Sequence, residues 1–146
     1  MRRLIVPASV LLIVLLGALS FYLFRRVAID NPALGMLTVQ YYWGRPAVVQ
    51  IDTDRDGTVD GRYSLSSETK RFSPHSRYKE GWESSLCNGV FDLHLRFDPS
   101  GELETLEFDS DSDGGYDVIL RGPEARRSLR TLQRPETCRP WQVAID

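Results

Sequence analysis

Ten residues, "IDTDRDGTVD" (Ile51 to Asp60), carry four aspartates and one glycine, and "FDSDSDGGYD" (Phe108 to Asp117) repeats the spacing. Both read D-x-D-x-D-G-x-x-D. Alternate carboxylates on a tightly turning chain can converge on one point, and the glycine permits the sharp turn that closes the ring. Such a cage suits a hard cation. Ca2+ takes six to eight oxygens at about 2.3 to 2.6 Å in tolerant geometry, whereas Mg2+ wants a stricter octahedron and keeps several waters. Neither loop offers a soft ligand, which argues against zinc or copper. The candidate carboxylates are Asp52, Asp54, Asp56 and Asp60 in the first loop, and Asp109, Asp111, Asp113 and Asp117 in the second.

These loops resemble the calcium loop of EF-hands and the related loops of dockerins, thrombospondin type 3 repeats and integrin propeller hairpins. Carried over position by position, the resemblance implies that the carbonyls of Thr58 and Gly115 join the aspartates as ligands, with Gly57 and Gly114 at the turn. It also implies two structural Ca2+ sites. The departure is at the twelfth position, where an EF-hand has a bidentate Glu and this chain has Tyr63 and Leu120. That loss implies weak sites, in the class of roughly 10⁻⁴ to 10⁻³ M. Helical flanks are missing too, so strand-loop-strand calcium hairpins are the nearer likeness. The order "YY…G…" hairpin then "DTDRDGTVD" loop is also similar to bacterial β-meander repeats, over about half of the chain.

Strands are expected on both sides of each loop. The β-branched and aromatic runs are Met36–Trp43, Ala47–Ile51, Gly61–Leu65, Val90–Asp98, Glu102–Phe108 and Tyr116–Leu120. Val90–Asp98 alternates most cleanly, which puts His94 on its wet face. Ser66–Trp82 is polar and without period, and reads as a long connection. Pro123–Arg134 opens on Pro and Glu and closes on Arg, as a short helix does. The expected fold class is therefore mainly β: an antiparallel meander of about six strands in two hairpin repeats, with a short C-terminal helix.

Leu4–Phe24 holds no charge, and at about 1.5 Å per helical residue it reaches roughly 31 Å, the thickness of a hydrocarbon core. It predicts an N-terminal transmembrane helix over 1–26, followed by a 27–35 linker and an extracytoplasmic domain over 36–146. A cleaved signal peptide is the alternative, with Ala18 and Ser20 as the small-residue site. Cys87 and Cys138 are the only cysteines, and a disulfide between them suits a periplasmic location.

Eighteen basic residues face twenty acids, and the two loops hold eight of those acids. Ion occupancy would thus reverse the sign of the molecule's field. The arginines lack the interleaved aromatics of a nucleic-acid surface. No catalytic motif is present: histidine is limited to His75 and His94, and Ser84 or Ser85 has no evident base. The expected function is a non-enzymatic, single-span membrane protein whose calcium-binding β domain is a structural or interaction module with protein partners. The alternatives are an accessory subunit of a larger membrane complex, of respiratory or photosynthetic type, and a membrane-tethered hydrolase.

Overall fold

The computed structural model describes residues 8–32, 34–73, 76–132 and 135. It opens with helix α1 (Ala8–Leu23), continues through strands β1 (Arg26–Asn31), β2 (Gly35–Tyr42), β3 (Arg45–Asp52), β4 (Gly61–Leu65), β5 (Tyr78–Glu83), β6 (Leu93–Phe97), β7 (Leu103–Phe108) and β8 (Val118–Arg121), and closes with α2 (Gly122–Thr131). The strands form one antiparallel sheet in sequence order, β1 to β8.

Two expectations about α1 are corrected. It has 16 residues, about 24 Å at 1.5 Å each, against a core of about 30 Å. Among the described residues no helix is long and apolar enough to cross a membrane. The transmembrane span, and with it the membrane-anchored periplasmic placement, is withdrawn; residues 1–7 lie outside the described ones. At its described end the apolar run passes out of the helix at Phe24, a turn residue packed against the β2–β3 hairpin. Gly44 donates its amide to the Leu23 carbonyl (2.9 Å), and the Phe24 ring packs edge-on against Tyr42 and Trp43, 5.2 and 5.4 Å between centroids. Of the expected Cys87–Cys138 disulfide, Cys87 is buried in the β5–β6 loop and is disulfide-bonded, while Cys138, the partner expected from the sequence, lies outside the described residues.

Eight strands replace the expected six. β1 lies in the stretch read as a linker, where its short Val27, Ile29 alternation is completed by pairing with Val39 and Leu37 of β2. β5 lies inside the polar stretch read as a connection. Lys79, Glu80 and Gly81 are poor strand formers, and ladders to β4 on one side and β6 on the other supply what propensity lacks. β6 begins only at Leu93, because Val90 and Phe91 belong to a loop. α2 ends at Thr131, short of the expected Arg134, which lies outside the described residues.

One face of the sheet makes the core. A single cross-strand row runs Val39, Val49, Tyr63, Gly81, Leu95, Leu106 and Leu120. Val39 and Val49 are 0% exposed, and Phe97 packs against both the β2–β5 cluster and the β6–β7 cluster that α2 covers through Ala125 and Leu129. Leu129 follows Ala125 by one turn, so both press on β7 and β8 while Arg127 and Arg130 of α2 are exposed. Arg126 reaches back to the Leu103 carbonyl at 3.2 Å and Glu102 at 3.3 Å.

Gly81 occupies the place in this row where the Tyr63 ring lies. A Cβ there would sit 2.5 Å from Tyr63 Cδ1, and the ring cannot retreat because Tyr63 is 2% exposed and its hydroxyl donates to the buried Glu83 Oε1. Gly81→Ala should therefore destabilise the fold by about 1 to 3 kcal/mol despite alanine's better strand propensity. Urea unfolding of the two proteins checks this; equal midpoints would show that the ring is free to move.

Candidate metal centre

In an antiparallel meander alternate connections share one end of the sheet. The β3–β4, β5–β6 and β7–β8 loops therefore lie side by side, and their backbones are joined: the Ser84 amide donates to the Asp60 carbonyl (2.7 Å), and the Asp109 amide to the Asp92 carbonyl (2.9 Å).

In the first loop one carboxylate oxygen each from Asp52, Asp54 and Asp56 lie within 4.8 Å of one another. The turn that gathers them is held by side chains accepting nearby amides. Gly57 donates to Asp52 Oδ2 (2.9 Å), Asp56 to Asp54 Oδ1 (3.2 Å) and Thr58 to Asp56 Oδ1 (2.6 Å). Arg55 and Gly57 take the left-handed φ values of 65° and 92° that bend the chain. Asp60 is outside that carboxylate group and closes the loop instead: its amide donates to the Ile51 carbonyl, and its Oδ2 accepts the Thr53 amide at 2.8 Å.

Asp60 is only 4% exposed, and its Oδ1 is buried without a hydrogen-bond partner, as is Oδ1 of Asp52. Burial pushes the Asp60 carboxyl above its ordinary pKa. The Thr53 amide opposes that shift, while the charges of Asp54, Asp52 and Asp56 add to it. Buried carboxylate oxygens left unsatisfied are costly, and a cation removes both the desolvation and the repulsion. The residues present therefore fit a hard divalent ion.

The second loop repeats the geometry with a different trio. Asp109, Asp111 and Asp117 bring oxygens within 4.8 Å, while Asp113 is outside that group and accepts the Gly115 amide at 2.7 Å. Ser112 and Gly114 have φ of 62° and 91°. The Ser110 amide donates to Asp117 Oδ2 (3.2 Å), matching the Thr53 to Asp60 bond. Thr58 and Gly115, expected to contribute carbonyls, hold equivalent places, each giving its amide to the aspartate two residues before.

A third loop of the same length went unread in the sequence. Ser84–Asp92, "SSLCNGVFD", has Cys87 and Gly89 at φ of 50° and 76°, in the same two places as Arg55 and Gly57. The Ser85 amide donates to Asp92 Oδ1 (2.6 Å) and the Val90 amide to Asn88 Oδ1 (3.0 Å), again the pattern of the other two. Ser84, Leu86 and Asn88 stand where the other loops have aspartates, so the charge signal is gone. What remained legible was Asn-Gly followed three residues later by Asp. Ser84 and Ser85, the candidate nucleophiles, use their hydroxyls on Asn88 and Asp92 to close this loop.

His94 is also relocated. It is 7% exposed, not on a wet face: Trp82 stacks on it at 5.0 Å and 7°, and Tyr116 of the second loop covers it at 5.7 Å. Glu107 Oε2 lies 2.8 Å from Nδ1, and Glu80 Oε2 lies 3.8 Å from Nε2. The Tyr116 hydroxyl is held above its ordinary pKa, by burial first and then by Glu107, Asp109 and Asp92. His75 lies outside the described residues.

Comparison with known families, curated proteins and solved structures gives no match to this chain.

The raised Asp60 pKa fixes a direction of pH dependence. With the folded value above 3.8, the native state holds a proton that the unfolded state has lost. Stability of the metal-free protein therefore falls as pH rises from 3.8 through the folded value, and the loss is complete above it. In chelator, the unfolding free energy of the native sequence should decline across that window relative to Asp60→Asn. Parallel pH profiles for the two proteins would contradict the burial of this charge.

Proposed function

We propose that this chain is a non-enzymatic structural or interaction module, a β-meander whose loop end is stapled by Ca2+ in the Asp52–Asp60 and Asp109–Asp117 loops. The observation that carries the reading is the pair of buried oxygens, Asp60 Oδ1 and Asp52 Oδ1, that no protein donor reaches. Oxygen-only ligands on an irregular loop favour Ca2+, which tolerates such geometry, over Mg2+. The ligands are Asp52, Asp54 and Asp56 with Asp60 closing the first loop, and Asp109, Asp111 and Asp117 with Asp113 in the second; the carbonyls of Thr58 and Gly115 complete the sets.

Each loop joins two neighbouring strands, so an ion that fixes the loop fixes the strand pairing beside it. Binding that favours the folded state stabilises it by RT ln(1 + [L]/Kd). For Kd of roughly 1 mM and about 10 mM Ca2+, that is about 1.4 kcal/mol per site.

A second reading, an accessory subunit of a larger protein assembly, is favoured by α1. From Ser9 to Tyr22 its residues are exposed and mostly apolar, with Ile13 at 69% and Phe21 at 79%. Exposed apolar area of this kind marks a surface for a partner. Co-migration of the chain with a large complex at native abundance supports this role, and migration at its own mass refutes it.

The calcium reading is tested on the chelator-treated full chain. Addition of about 10 mM CaCl2, above the weak end of loop affinities, should release or absorb heat and raise the melting temperature by about 3 to 6 °C. Neither heat nor a shift would end the proposal. An equal response to MgCl2 would leave a divalent staple but not a calcium-selective one.

A further inference from the structure

The three loops share a backbone path but differ in how many of their side-chain oxygens at the first and ninth positions the protein already satisfies. At the first position, Asp52 accepts one amide, from Gly57, and its Oδ1 is left buried and bare. Its counterpart Asp109 is the more buried of the two, at 7%, but both its oxygens are met, Oδ1 by Ser112 (2.7 Å) and Oδ2 by Gly114 (3.0 Å). In the middle loop Ser84 replaces the carboxylate, giving its hydroxyl hydrogen to Asn88 Oδ1 (2.9 Å) and accepting the Asn88 amide (3.1 Å).

The ninth position shows the same order. Asp60 is buried, receives only the Thr53 amide among side-chain bonds, and has a bare Oδ1. Asp117 is exposed to water and receives both the amide and the hydroxyl of Ser110. Asp92 receives the amide and hydroxyl of Ser85, one on each oxygen.

We propose that the loops are graded in their need for an ion: Asp52–Asp60 requires one, Asp109–Asp117 accepts one more weakly, and Ser84–Asp92 takes none. This rests on the calcium reading and deepens it. An oxygen that neither donor nor solvent reaches gains most from a cation, whereas one already bonded or hydrated gains only the difference. The first site therefore binds Ca2+ first and supplies most of the stabilisation. The middle loop holds the same backbone turn with uncharged residues at the first, third and fifth positions and its one carboxylate, Asp92, already bonded, and so acts as a permanent clip between the two ion loops. Thr58 Cγ2 of the first loop lies where a Cβ of Gly89 would be, 2.4 Å away, so the clip is seated directly against the principal site.

Calcium titration calorimetry and melting curves on the full chain, with Asp111→Asn and Asp54→Asn, test the grading. Asp111 is exposed and its loss should leave the protein folded. In the native sequence we expect two ions bound in two steps. Asp111→Asn should lose only the weaker step, leaving the tighter affinity within about twofold and most of the melting shift; Asp54→Asn should weaken the tighter step by about tenfold or more. Two equal steps, a third bound ion, or loss of the tighter step in Asp111→Asn overturns the grading while leaving calcium binding intact. No binding by the native sequence removes the calcium reading itself. If Asp54→Asn does not fold, the Asp111→Asn titration alone still decides.

Discussion

The bond from a second-position amide to a ninth-position carboxylate sets the loop end of this molecule. Thr53 to Asp60, Ser85 to Asp92 and Ser110 to Asp117 are the same bond made three times. Each draws a nine-residue excursion back to the width of a strand pair, so the chain can re-enter the sheet beside the strand it left. The amides of Asp60 and Asp117 then bond back to Ile51 and Phe108, the last core residues before each aspartate loop. Fixing the entry and exit in this way also fixes register, and with it which side chains face the core. The row from Val39 to Leu120 depends on all three closures having the same length.

The two aspartate loops were legible because charge is a loud signal: eight aspartates stand at one repeated spacing. Their surroundings were quieter. β5 was hidden because Lys79, Glu80 and Gly81 suppress strand propensity, and because Gly81 is explained only by a residue 18 positions earlier, Tyr63, whose ring fills the space above it. No local window contains that pair. β1 was hidden by length, its two apolar residues being too few to mark a period. The reading of Val90–Asp98 as one strand failed for a related reason. Alternation is present from Phe91 on, but Asp92 is a loop closure and the ladder begins after it.

His94 illustrates how a sheet with one apolar face can still bury the other. Trp82, His94 and Glu107 stand opposite one another on β5, β6 and β7, and the ring pair at 5.0 Å with the Nδ1 to Glu107 contact makes a small polar layer on the side away from the core. Tyr116 reaches this layer from the second aspartate loop. The sheet interior and the loop end are thus in contact through one aromatic ring, which gives the position of the second loop a direct mechanical connection to the middle of the sheet.

The absence of a twelfth-position Glu follows from the same architecture. Counting twelve from Asp52 and Asp109 arrives at Tyr63 and Leu120, which are strand residues in the shared core row. In a helix-flanked loop that position turns back toward the ion, but here the chain has already entered the sheet by the tenth residue after the first loop opens. A carboxylate at Tyr63 would be aimed into a core where Val49 is fully buried, with no cation in reach. The core therefore removes a bidentate ligand from each site, and the ninth-position aspartate is the last one the loop can offer. The buried Asp60 and the exposed Asp117 are thus the points at which the two aspartate loops differ most in environment.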